Sequence, residues 1–129
     1  MQYSTGENVF SISTKFFPIR LSAYKKDSVE LSIEVENQLS DAAWVECDVS
    51  IPEVLSLAPN RELAMGRLRI GIVGAKQIGT GRCKIYSGAK TYPDMYQINI
   101  RVYGYGRNGD VLAKKDLPIQ LRVEQVGKI

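Results

Sequence analysis

Histidine is absent from all 129 residues. That absence removes imidazole acid–base catalysis, the Ser/His and Cys/His nucleophile pairs, and the commonest transition-metal ligand. Cysteine is scarce, with only Cys47 and Cys83 present. Two thiols do not make a disulfide framework. Both fall in the inward phase of apolar segments, which predicts buried free thiols and leaves a bridge between them open. No apolar run approaches the ~18 residues that a spanning helix needs, so no membrane insertion is expected. Residues 1–8 are polar, with no basic stretch leading into an apolar one, so no signal peptide is visible. The expected location is the cytoplasm, or the extracellular space if the chain is an excised piece of a larger protein. Neither sign of charge dominates, the formal net charge being +3. Such a mild excess gives no reason to invoke nucleic acid or anionic lipid.

The composition that remains, 44% hydrophobic and 24% charged, is that of an ordinary globular protein. The length fits one domain around one core. A loose tail over residues 1–8 and a single domain over 9–129 are expected.

Period-two alternation is the main signal. Val29, Leu31, Ile33 and Val35 alternate with Glu30, Ser32, Glu34 and Glu36, which predicts a strand with one buried and one wet face. Ala43, Val45, Cys47, Val49 and Ile51 alternate with Trp44, Glu46, Asp48 and Ser50 up to Pro52. Tyr96, Ile98, Ile100 and Val102 alternate with Gln97, Asn99, Arg101 and Tyr103, then turn through Gly104 to Gly109 and return from Val111 to Val123. This predicts a closing hairpin, with Pro118 tolerated at an edge and Asn108-Gly109 as a type I′ turn. Further strands are expected over 9–13, over 18–24 with Ile19, Leu21 and Ala23 on one face, over 67–72 with Leu68, Ile70 and Ile72 in phase, and over 82–86. Residues 54–57 are either a short strand or an apolar loop, and 61–65 have room for one helical turn. The glycine-punctuated stretch 74–81 reads as a loop. About seven short strands separated by turn signals predict an all-β, single antiparallel sandwich.

Three segments carry a family resemblance. They are the strand ending Val35-Glu36-Asn37, the strand from Trp44 closing at Pro52, and the late run Asp94-Met95-Tyr96-Gln97-Ile98. Together they resemble an immunoglobulin-like β-sandwich of the CARDB type, found as accessory domains of prokaryotic surface and enzyme-associated proteins. Tyr96, two residues before Ile98, resembles a tyrosine corner. Ile98 stands where an antibody domain has cysteine, so the immunoglobulin disulfide is absent. The resemblance implies a fold far more than a role, because this architecture hosts many functions.

Two glycine patterns invite a cofactor reading. Gly104-x-Gly106-x-x-Gly109 matches the dinucleotide fingerprint, yet no helix and second parallel strand fit the 20 residues left after it. Gly74-x-x-x-x-Gly79-Thr80 lacks the lysine of a phosphate loop. No cofactor is expected. Glu34 and Glu46 illustrate a carboxylate pair that sequence alone cannot place across a cleft.

Charge is segregated along the chain. From Asp27 to Glu53 every charged residue is acidic; from Arg61 to Lys90 only Glu62 opposes seven bases. Either Glu30, Glu34 and Glu36 lie across from Arg82 and Lys84 on one sheet, or the two blocks form complementary contact patches. An outward Trp44 is an interface or stacking candidate, unless Phe16 and Phe17 cover it. Arg101, Tyr103, Tyr105 and Arg107 give the hairpin tip the composition of a contact site. The expected function is a non-catalytic protein-binding or assembly module, acting through a sheet edge or end loops on a protein partner or a second copy. Its expected contact residues are Trp44, Arg82, Lys84, Arg101, Tyr103, Tyr105 and Arg107. The alternative is a carbohydrate- or polymer-binding accessory domain that stacks sugars on exposed aromatics. Nucleic acid is disfavoured by the acidic block.

Overall fold

A computed structural model describes residues 9–125; the expected tail over 1–8 lies outside the described residues. The described chain is all-β, with eight strands rather than seven: β1 Phe10–Phe17, β2 Arg20–Ser22, β3 Asp27–Asn37, β4 Ala43–Ser50, β5 Met65–Val73, β6 Ile78–Ser87, β7 Asp94–Tyr105 and β8 Val111–Glu124. They form a three-stranded sheet, β1-β3-β6, and a five-stranded sheet, β2-β8-β7-β4-β5. All pairings are antiparallel except β2 with β8. Both N-terminal segments differ in length from expectation: the one expected over 9–13 extends to Phe17 as an edge of the three-stranded sheet, and the one expected over 18–24 contributes only Arg20–Ser22 to the other sheet.

The two sheets share one core. Val29, Leu31, Ile33, Val35 and Ile85 from the three-stranded sheet meet Val45, Cys47, Ile98, Ile100, Val102 and Leu121 from the other. Each fully buried aliphatic of this kind contributes roughly 1.5–3 kcal/mol. Cys47 and Cys83 are both free, and burial pushes their thiols up to about 12 and about 11.

Several local expectations are corrected. Ile19 is 78% exposed, because β2 begins only at Arg20, whereas Leu21 and Ala23 of the expected face are buried in the core. Residues 54–57 take the loop alternative, with a bridge from Ser56 to Tyr86, whereas 61–65 form no helical turn, Met65 opening β5 instead. The loop expected over 74–81 is a tight turn: Gln77 N–H donates to Gly74 O at 3.0 Å, and β6 starts at Ile78. Gly79 lies within β6, paired with Val35 of β3, and must be glycine because a Cβ there would sit 2.6 Å from Val73 and 2.7 Å from Ile70. The glycine marks close approach of β5 side chains, not flexibility. The hairpin turn is not type I′. Gly109 N–H donates to Gly106 O, Arg107 and Asn108 keep negative φ, and only Gly109 is left-handed at 84°. That is a type I turn followed by a left-handed glycine.

One irregularity positions the site. Between Val45 and Glu46 the pairing of β4 with β5 slips by one residue, at Gly71, whose φ is 100°. A bulge inverts the side-chain phase beyond it. Leu68 and Ile70 pack against the core, Val73 is buried, and Ile72 turns out to solvent instead of following Leu68 and Ile70 inward.

Candidate binding face

The β3–β4 loop, the β5–β6 turn and the β7–β8 turn gather at one end of the two sheets, as the strand registers require. Asn37, fully buried, holds two of them. Its side-chain amide donates to Asp41 O and Val73 O at 3.0 Å each, and its carbonyl oxygen accepts from Leu39 N–H at 2.9 Å. Its backbone N–H donates to Gln77 O, and its carbonyl accepts from Lys76 N–H. Every polar group of this residue is satisfied, as burial demands.

Above Asn37, the outer face of the five-stranded sheet carries the aromatic residues. Trp44 stands directly opposite Tyr105 on β7 and Ile72 on β5. Trp44 is 39% exposed and Ile72 is 76% exposed. With Asp41, Arg107, Asn108 and Leu112 they line an open cleft of about 930 Å³. Phe16 and Phe17 do not cover Trp44, since both lie on β1 of the other sheet. The indole Nε1 of Trp44 instead donates to Glu46 at 2.6 Å.

Next along the strands comes a charged band. Arg67 reaches Asp48 at 2.7 Å and Glu46 at 3.1 Å, and its guanidinium lies 5.1 Å over the Tyr103 ring. Tyr103 and Tyr105 stack at 6.1 Å. Arg101 pairs with Asp116 at 2.5 Å. Hydrogen bonds from Arg67 and Arg101 hold the Asp48 and Asp116 carboxyls below the usual carboxylate range. Beyond the band, Ser50, Met65, Asn99, Asp116 and Pro118 line a smaller depression of about 380 Å³.

Of the seven residues singled out from sequence, Trp44, Arg101, Tyr103, Tyr105 and Arg107 converge here. Arg82 and Lys84 do not; they lie on β6, on the outer face of the three-stranded sheet. There Glu30 stands opposite Lys84 and lies 3.9 Å from Arg82, whereas Glu34 and Glu36 stand opposite Thr80 and Ile78. The expected cross-strand pairing therefore involves one glutamate, because the register carries Glu34 and Glu36 past the bases. Glu34 and Glu46 occupy outer faces of different sheets and cannot flank one cleft. Sequence reasoning missed Ile72, Arg67, Asp41 and Leu112. The Gly71 that turns Ile72 outward was the one available signal.

Gly104-x-Gly106-x-x-Gly109 finds a structural use. A Cβ at Gly104 would sit 2.5 Å from the Phe10 ring, and β8 runs back antiparallel where a dinucleotide fold needs a helix. Among the described residues no group of three or more Cys, Asp or Glu is placed to hold a metal ion. The tyrosine corner is present: the Tyr96 hydroxyl donates to Tyr92 O at 2.6 Å, and burial pushes its pKa up to about 12.

No family model matches this sequence, and no curated protein matches it. Solved structures resemble its fold. The CARDB domain of a Pyrococcus furiosus protein, solved in complex with di-metal ions, matches at 15% identity over 95% of this chain and 94% of its own, with a TM-score of 0.51. The Pseudomonas fluorescens alkylpurine DNA glycosylase AlkC, bound to DNA containing an abasic site analog, matches at 16% identity over 89% of this chain, with a TM-score of 0.55. The Bacillus subtilis sporulation control protein Spo0M matches at 9% identity over 92%, with a TM-score of 0.50. This chain spans 30% of AlkC and 50% of Spo0M. These likenesses show the fold alone, and that fold is CARDB-like.

Proposed function

We propose that this chain is a non-catalytic binding module for a protein partner, an immunoglobulin-like sandwich whose contact surface is the outer face of the five-stranded sheet. The observation that carries this reading is the row Ile72–Trp44–Tyr105 at the floor of the cleft, rimmed by Asp41 and Arg107. An apolar centre of aromatic and branched side chains inside a charged rim is the anatomy of a protein-binding hot spot. Ile72 weighs toward protein, since a sugar gains little from an aliphatic wall and a protein side chain gains its buried area. Arg67 and Arg101 already have partners on the band, so they serve recognition and register more than raw affinity.

The aromatic row supports carbohydrate as the second reading, with Trp44 and Tyr105 as the stacking platform. Tyr103 adds little to it, because Arg67 lies over its ring. The test is an immobilised wild-type chain beside Trp44→Ala/Ile72→Asp, with Arg61→Glu at the opposite end as a control. A stoichiometric protein retained by wild type and control but lost from the double variant is the expected result. Equal retention by all three overturns the assignment of the face. Retention of a soluble polysaccharide by wild type, lost with Trp44, transfers the site to the second reading.

A further inference from the structure

The three-stranded sheet has its own outer face, and its chemistry differs. Its registers place Ser11, Glu36 and Ile78 in one row, then Ser13, Glu34 and Thr80, then Lys15, Ser32 and Arg82, then Phe17, Glu30 and Lys84. The half nearer the loops holds Glu34 and Glu36 with no base. The other half holds Lys15, Arg82 and Lys84 against Glu30 alone. Counted formally, one half is −2 and the other is +3 − 1 = +2. Among the described residues neither Glu34 nor Glu36 has an ion-pair partner. Small side chains flank the divide, and a dip of about 80 Å³ lined by Ser13, Lys15, Ser32 and Glu34 marks it.

We infer that this face binds a second copy of the chain, as a two-fold dimer. The two-fold axis lies in the plane of contact and runs across the strands. It sets the acidic half of each copy over the basic half of the other, so one patch is its own complement. An axis along the strands would set like charge on like and is disfavoured. Sheet faces pack about 10 Å apart, and the serines and threonine permit that approach. Phe17 and Ile78, 76% and 60% exposed, add apolar area at opposite ends of the face. The dimer leaves both five-stranded faces outward, so two partner sites point away from the contact and act bivalently.

Sedimentation velocity over a concentration series tests this. Wild type is expected to show a monomer–dimer equilibrium whose midpoint rises at least about tenfold between about 0.1 and about 1 M salt, as the Debye length falls from about 10 to about 3 Å. Glu34→Lys/Glu36→Lys makes the face wholly basic apart from Glu30, and Lys15→Glu/Arg82→Glu/Lys84→Glu makes it wholly acidic. Each variant alone is expected to stay monomeric, and an equimolar mixture is expected to form the heterodimer. Circular dichroism checks folding, and the neutral Glu34→Gln/Glu36→Gln substitutes if a reversal does not fold. A wild-type monomer at every concentration overturns the inference. So does a dimer that survives in both reversed variants, or a mixture that stays monomeric.

Discussion

The two outer faces of this protein are built from the same alternating pattern and end up chemically unlike. On the five-stranded face, cations meet carboxylates at 2.5–3.2 Å and aromatic rings close one end. Among the described residues, the three-stranded face has one ion pair, 3.9 Å long, between Arg82 and Glu30, and no ring contact. Period two tells which residues face water. Strand order tells which of those meet, because neighbours across a ladder come from distant parts of the chain. Glu46 and Asp48 find Arg67 because β4 pairs with β5, and Arg101 finds Asp116 because β7 pairs with β8.

The contrast breaks first at Asn37, which ties β3 of one sheet to Val73 of the other. Asn37→Ala removes three side-chain hydrogen bonds inside a filled site and leaves the buried Val73 carbonyl without this partner. A loss of about 2–4 kcal/mol is expected in urea unfolding. The cleft formed by the loops it anchors should weaken even where the variant remains folded. A loss below about 1 kcal/mol would show that the loops hold themselves.

Double-mutant cycles sharpen the contrast next. Arg67 and Asp48 make a two-point contact, and a coupling of about 0.5–1 kcal/mol is expected. Arg82 and Glu30 should couple by about 0–0.2 kcal/mol, since both are exposed and far apart for a pair. Equal couplings would erase the distinction between the faces.

Acid should act through the first face. Asp48 and Asp116 have folded-state pKa values lowered by Arg67 and Arg101. Their stabilisation is therefore complete above the unfolded carboxylate value of about 3.9 and is lost as pH falls through the lower folded values. Unfolding free energy is expected to drop below about pH 4, and Asp48→Asn/Asp116→Asn should shrink that drop. An unchanged acid limb would detach these pairs from stability.

The smallest effect concerns the thiols. With pKa values of about 12 and about 11, Cys47 and Cys83 hold little thiolate at pH 8, and neither is expected to react with a disulfide reagent in native conditions. Cys83 on the three-stranded sheet is the less buried and should be labelled first as denaturant is added. Labelling of Cys47 first would mean that the five-stranded sheet opens earlier.

Much of the fold was legible without coordinates. β3, β4 and the closing hairpin follow from alternation alone, and Tyr96 follows from its place two residues before Ile98. The errors share one cause. Alternation puts Ile72 in phase with Leu68 and Ile70, because a bulge at a glycine leaves the surrounding pattern of residue types intact. Residues 78–81 read as loop because Gly79 and Gly81 signal freedom when considered locally. They are strand because they pair with Val35 and Ile33 of β3, and they are glycine because β5 side chains occupy the space their own side chains would fill. Arg82 and Lys84 enter the expected contact residues through the segregation of charge along the chain, which carries no information about which sheet a strand joins.

By itself the sequence determined an all-β chain, the inward and outward phase of most strands, and the absence of any histidine chemistry, because these depend on residue type and period. The tertiary structure decided which outward residues share a face. It set Ile72 beside Trp44, closed Arg67 onto Tyr103, and put the unpaired glutamates on the far side. Those outcomes depend on strand order, register and one bulge, which arise from packing between segments far apart in the chain.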